Sequence, residues 1–399
     1  MTSQADTSLP GRASHFIFLD YLRTIAIALV LLRHTIRPVL SVPESSGAVI
    51  KDGIWPIILN FMENGWLGVD LFFILSGFLI AHSFSNNIKG HVKKFYKNRA
   101  LRILPAYYFV LGLILLGVFP FYTVPQDGLL RQVFLHAIFM QDYTGAGINV
   151  VYWSLGVEIK FYLIAPLFLY FLNKWAKKEH WYKGHILLLI LTALGPLARA
   201  VSWYIYGAPE DYTALFFTYR SPLHCCLDAL MVGVWGHFLY RQFKDKPSFR
   251  ILWMIQILSL TGLLSYLGSH VLLESTSFWE IILQPLFISM AMAGLAVSGL
   301  LLYTGLKKNS PIQIGARISY SLYLVHWPLI PLSLMLPKYF NLPAPHLSFL
   351  SFGVSAAFLW GSSIALAFLI YKYIERPFLK LKHRAEASGQ KSPAIIPVR

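Results

Sequence analysis

Arg23 and His34 stand eleven residues apart in an apolar stretch that runs from Phe16 to Leu40. In a helix at 100° per residue, that spacing points the two side chains within about 20° of one another, about 16 Å apart along the axis. One stripe then carries a guanidinium able to hold an anion and an imidazole able to take a proton near neutral pH. A second stretch, Gly68-Val69-Asp70-Leu71-Phe72-Phe73-Ile74-Leu75-Ser76-Gly77-Phe78-Leu79-Ile80, sets Asp70 and Ser76 among apolar neighbours. Arg99 and Arg102 follow at i, i+3 on one helix face, where two planar forks suit a phosphorylated ligand. Tyr152-Trp153-Ser154-Leu155-Gly156-Val157-Glu158 brings a carboxylate to the start of another apolar run. His224 and Asp228 stand at i, i+4, and Ser319-Tyr320-Ser321-Leu322-Tyr323-Leu324-Val325-His326-Trp327-Pro328 supplies a further imidazole.

Each of these residues also has a plainer reading. Arg23 can snorkel to an interface, and Arg99 and Arg102 can be topological anchors. Glu158 can sit at the favourable end of a helix dipole, His326 can be a structural hydrogen-bonding group, and Glu375-Arg376 reads as a helix terminator with a local ion pair. Ionisable groups inside apolar spans are nevertheless expensive, and the set as a whole is a functional suspect on that ground.

The elements that must position them follow from composition. Of 399 residues, 56% are apolar or aromatic and only 13% are charged, against about 25% charged in ordinary soluble domains. The mean hydropathy is +0.56. Apolar stretches near 20 residues long match helices that cross about 30 Å of hydrocarbon. The sequence predicts an all-α integral membrane protein with ten spans, at about 18–40, 56–83, 101–122, 157–173, 185–206, 222–240, 251–272, 279–303, 318–336 and 349–371. Of the 34 Lys and Arg, 24 fall in the N-terminus, loops 84–100, 174–184, 241–250 and 304–317, and the tail from 372. The alternate loops 41–55, 123–156, 207–221, 273–278 and 337–348 hold 4. That bias puts both termini in the cytoplasm.

The same distribution explains the net charge of +16 without a nucleic-acid partner, since the basic residues sit in short loops between apolar runs. Cys225 and Cys226 are adjacent and have no metal-ligand or disulfide spacing, so no metal site is expected. Residues 1–15 lack an apolar core and read as no cleavable signal. Residues 1–380 read as one membrane domain, and 381–399 as a disordered cytoplasmic tail.

Arg23-x10-His34, the GVDLFFILSGFLI segment, Arg99-x-x-Arg102, WSLGVE and SYSLYLVHWP together resemble the integral-membrane acyltransferase family 3, the bacterial membrane O-acyltransferases. The motifs occur in the family's order and cover about residues 16–378. The resemblance implies transfer of an acyl group, commonly acetyl, from cytoplasmic acyl-CoA to a hydroxyl of a surface glycan, lipid-linked sugar or small molecule. It implies no tightly bound cofactor and a place in the bacterial inner membrane. His34 matches the family's essential histidine and Arg23 its basic partner. Arg99 and Arg102 match the donor-associated pair, and Glu158 the acidic residue of the tryptophan motif. His34 would be general base, with acyl transfer to His34 itself left open, and Glu158 at His34's depth would orient the imidazole. Asp70, Ser76, Trp153, Asp228 and His326 are accessory candidates. Some relatives carry an added extracytoplasmic esterase domain, and here a stand-alone transferase is expected. The rival class is a proton-coupled secondary transporter, which the absence of two related halves disfavours. A scaffold leaves the intramembrane charges unexplained.

Overall fold

A computed structural model describes residues 16–40, 55–85, 92–145, 147–175, 181–269, 277–303 and 311–381. The expected tail lies outside these residues, as do the N-terminus before Phe16 and parts of the predicted loops. The described residues are helical, with no strand among them. The first half of the chain forms α1 Ile17–Leu40, α2 Trp55–Glu63, α3 Leu67–Ser83, α4 Val92–Leu115, α5 Leu129–Ala137, α6 Gln141–Thr144 and α7 Trp153–Trp175. The second half forms α8 Trp181–Tyr206, α9 Tyr212–Leu215, α10 Leu227–Phe243, α11 Phe249–Ser269, α12 Phe278–Leu302, α13 Pro311–Val325, α14 Ile330–Tyr339 and α15 Phe349–Ile370.

Seven helical stretches are long and apolar enough to cross a membrane: Ile57–Ser83, Val150–Trp175, Tyr182–Tyr206, Leu223–Phe243, Phe249–Leu267, Phe278–Leu302 and Phe349–Leu381. The bent pair Pro311–Val325 and Trp327–Tyr339 makes an eighth if taken as one span. The 24-residue helices α1 and α4 coincide with two more predicted spans. Both carry several charged residues, which keeps them out of a count made on apolarity. Asp20, Arg23, Arg33 and Arg37 lie along α1, and Lys93, Lys94, Lys97, Arg99 and Arg102 crowd the first half of α4.

Glycines of the GVDLFFILSGFLI stretch set the packing. A Cβ on Gly68 would fall 2.2 Å from the Ala26 carbonyl oxygen, so α3 meets α1 backbone to side-chain-free backbone. Gly77 and Gly233 do the same reciprocally between α3 and α10, where an added Cβ would lie 2.2 Å from Leu230 O and 2.1 Å from Ile74 O. Small residues at a helix crossing are the usual route to tight packing in lipid, where apolar burial no longer drives helices together. Gly156 plays a related part in α7, with Asp142 Oδ1 at 2.8 Å from where its Cβ would be. Asp142 accepts there from Lys160 Nζ, which also donates to Phe139 O at 2.7 Å. This clasps α5 and α6 onto the start of α7.

The bend between α13 and the following turn is 60°. Pro328 has no N–H to give to Leu324, and that carbonyl instead accepts from Asn149 Nδ2 at 3.4 Å. The break falls on His326, which therefore sits at an elbow and not along a straight helix face.

Candidate active site

Two cavities lie along α1. The first, near the end where α1 begins, measures ≈ 90 Å³ and is lined by Arg23, Arg99, Arg102, Ser76, Glu158 and Tyr162, among others. Arg23 is tied to Asp20 at 2.8 Å. Arg99 lies over the Tyr162 ring, 4.8 Å from its centre. The guanidinium groups of Arg99 and Arg102 make no hydrogen bond among the described residues, so their forks are open to a ligand. Both Ser76 Oγ and Tyr162 O–H donate to Glu158 Oε1. The cavity thus gathers three guanidinium groups and one anchored carboxylate from α1, α3, α4 and α7.

The second cavity, ≈ 250 Å³, lies toward the other end of α1 and is lined by His34, Arg33, Arg220, Trp66, Trp153 and Trp327, among others. His34 Nδ1 is 2.8 Å from His326 Nε2. The two rings lie 5.0 Å apart and within 13° of parallel, and Trp327 meets His34 edge-on at 5.0 Å. His326 is completely buried, and its Nδ1 lies 3.1 Å from Leu322 O. A carbonyl oxygen only accepts, so in the neutral ring Nδ1 of His326 carries the hydrogen and Nε2 the lone pair. That lone pair accepts from His34 Nδ1–H. His34 is left with a bare Nε2, the atom a general base needs.

Val69 and Tyr323 belong to the walls of both cavities. The Tyr323 hydroxyl is 2.6 Å from Ser154 Oγ and donates to Val151 O at 2.6 Å, which fixes this shared wall to the start of α7. Arg23 and His34 are thus on one stripe, as their spacing predicts, but they face different cavities.

Several sequence expectations require correction. Glu158 does not meet His34. It faces the first cavity with the arginines, and His326 stands where Glu158 was expected as the orienting group. Depth along a helix is legible from sequence, whereas the direction a side chain takes relative to other helices is set by packing of α7 on α3. His224 and Asp228 do not pair, because a 3-10 turn over Leu223–Cys226 breaks the helical spacing. His224 Nδ1 instead lies 3.2 Å from the Tyr143 hydroxyl. Asp228 accepts from Arg199 Nη2 at 2.6 Å, a buried ion pair that lines neither cavity. Glu375 is not a local partner of Arg376. It is 3% exposed, accepts from Ser321 Oγ, and lies within electrostatic reach of Arg102. Asp70 pairs with Arg220 at 2.6 Å behind the second cavity.

Sequence reasoning missed two residues. Arg220 was counted only as a loop charge, although a mid-span carboxylate such as Asp70 calls for a cationic partner. Glu63 accepts from Arg33 at 3.2 Å and Arg37 at 3.1 Å, and its place as a carboxylate inside the predicted span 56–83 was the signal that could have found it. Among the described residues no group of three His, Cys, Asp or Glu is placed to hold a metal ion.

The family model described as an acyltransferase domain matches residues 16–372. The chain therefore belongs to the membrane acyltransferase family 3, and it is a multi-pass membrane protein. It is 24% identical over 303 residues to the O-acetyltransferase OatA of Staphylococcus aureus, covering 71% of this chain and 49% of that one. It is 23% identical over 362 residues to the peptidoglycan O-acetyltransferase OatA of Listeria monocytogenes, covering 84% and 54%. A Caenorhabditis elegans protein called regulator of hypoxia-inducible factor 1 is 26% identical over 289 residues, covering 67% and 55%. The chain spans about half the length of these curated relatives. No solved structure matches it.

Proposed function

We propose that this protein transfers an acetyl group from cytoplasmic acetyl-CoA to a hydroxyl of a surface glycan, with His34 as general base. The observation that carries this reading is the pair of cavities sharing one wall, with open arginine forks in one and a histidine pair in the other. Arg99 and Arg102 hold CoA phosphates, and Arg23 adds positive charge deeper in the same cavity. Glu158 keeps that cluster from repelling itself when empty. The pantetheine arm carries the thioester past Val69 and Tyr323 into the His34 cavity. There His34 Nε2 takes the proton of the acceptor hydroxyl as its oxygen bonds to the thioester carbon. As the C–S bond breaks, the departing thiolate takes that proton back, so CoA leaves as the thiol and His34 is reset. His326 is a positioning residue, because its acceptor nitrogen holds His34 in the tautomer with a free Nε2. The aromatic walls formed by Trp66, Trp153, Trp327 and Tyr212 suit the faces of sugar rings. The Listeria relative named for peptidoglycan supports a glycan acceptor.

Ten spans with both termini in the cytoplasm fit this reading, with α1 and α4 counted despite their charges. A reporter after Arg399 should then be cytoplasmic, and a tag beside Asp211 should react with impermeant reagents from outside. With the N-terminus inside, the arginine cavity faces the cytoplasm and the His34 cavity the outside, and a C-terminus found outside would reverse both. The chemistry is tested by membranes containing the protein. They should release CoA thiol from acetyl-CoA, and His34→Ala membranes should not. Equal release would remove the function proposed here.

A further inference from the structure

Arg220 lies in a π-helical segment, Phe216–Arg220, and is 5% exposed. Its guanidinium carbon stands 4.5 Å from the Trp66 ring centre and 5.4 Å from that of Trp153, so aromatic rings hold it in place. Nη2 donates to Asp70 Oδ1 at 2.6 Å, and Asp70 is 1% exposed. The Nε and Nη1 donors hydrogen-bond to nothing among the described residues. They are not sealed in among protein atoms either, and the side chain lines the His34 cavity. The result is a permanently charged donor edge on a rigid mount, facing the space where His34 offers its base. Arg33, the other buried arginine of that cavity, is already committed to the Glu63 backbone and side chain and to the Tyr212 hydroxyl. Arg220 is also within electrostatic reach of Tyr323, the wall a donor must pass. A buried ion pair is a weak means of stabilising a fold, because desolvation offsets much of the attraction. Its place at this cavity is better explained by use.

We propose that Arg220 is a further catalytic residue, which binds the thioester carbonyl oxygen and holds the negative charge that forms on it. The inference rests on the acyl-transfer reading above. The acceptor oxygen bonds to the carbonyl carbon, the C=O π pair moves onto the oxygen facing Arg220, and the hydroxyl proton passes to His34 Nε2. The C=O bond then re-forms, the C–S bond breaks, and the thiolate recovers the proton. A donor fixed in advance at the developing charge is worth most in a cavity that excludes water. Asp70 keeps the guanidinium aimed, and its carboxylate partners that charge while the site is empty.

The test uses the full chain in liposomes, with acetyl-CoA as donor, soluble peptidoglycan fragments as the acceptor probe, and CoA thiol release as readout. Arg220→Lys keeps a charge opposite Asp70 but not the two-edged fork. It should lower turnover about tenfold or more with the acetyl-CoA KM nearly unchanged, the pattern of an interaction made in the transition state alone. An Asp70→Asn, Arg220→Gln double variant removes both charges together, and should lose more. It covers the case in which the lysine variant fails to insert. Wild-type turnover in either inserted variant overturns the proposal, and so does a loss confined to the donor KM. A wild-type rate no higher than that of His34→Gln would instead sink the acyl-transfer reading, and this inference with it.

Discussion

His34→Gln should insert and bind acyl-CoA as the wild type does, yet lose turnover by roughly 10² or more, the usual scale for a missing acid-base group. Glutamine keeps a hydrogen-bonding side chain of similar reach but cannot cycle a proton near neutral pH. The histidine pair adds a second, graded expectation. His326→Gln still offers an amide oxygen to His34 Nδ1–H, so it should retain more activity than His326→Phe, which offers nothing. A base must be neutral to accept a proton, so wild-type turnover should fall as pH drops and the pair becomes protonated. The acid limb belongs to the pair and not to either ring. A correctly inserted His34→Gln protein with near-normal turnover would remove His34 from the chemistry.

The second large effect concerns the donor. An Arg99→Ala, Arg102→Ala protein loses two charge-assisted contacts, each worth about 1.5–3 kcal/mol. Its donor KM should therefore rise by roughly 10² or more, while turnover at saturation changes far less. Arg102→Lys alone should already weaken donor binding, since lysine cannot reproduce the planar fork. Glu375, held by Ser321, lies within electrostatic reach of Arg102. Unchanged donor affinity in the double variant would return this pair to the role of topological anchor.

How much of this was legible in the sequence depends on which kind of information each residue carries. The α-helical membrane class follows from apolar lengths and loop charges, which are local. The Arg23–His34 stripe follows from helical period. Which cavity each side chain enters does not. Glu158 was read as a carboxylate within an apolar span, but its azimuth is set by Ser76 on α3 and Tyr162 one turn further along α7. His326 was seen as an imidazole near a proline, yet the bend at Pro328 is what turns it toward His34. Arg220 was hidden because a single arginine beside a span looks like a topological charge. Only the fold shows that it reaches Asp70, 150 residues earlier in the chain. The glycines of GVDLFFILSGFLI were quoted for their motif, and the crossings of α3 with α1 and α10 give the physical reason for both, Gly68 and Gly77.

The central claim is that donor and acceptor enter from opposite faces and meet across the wall formed by Val69 and Tyr323. It is tested most directly with sealed vesicles of known orientation and radiolabelled acetyl-CoA. Inverted vesicles, whose cytoplasmic face is outward, should take up label into glycan in their lumen. Intact right-side-out vesicles should not, until they are permeabilised. Equal labelling by intact right-side-out vesicles would contradict the claim, because the arginine cavity would then be reached from the wrong side.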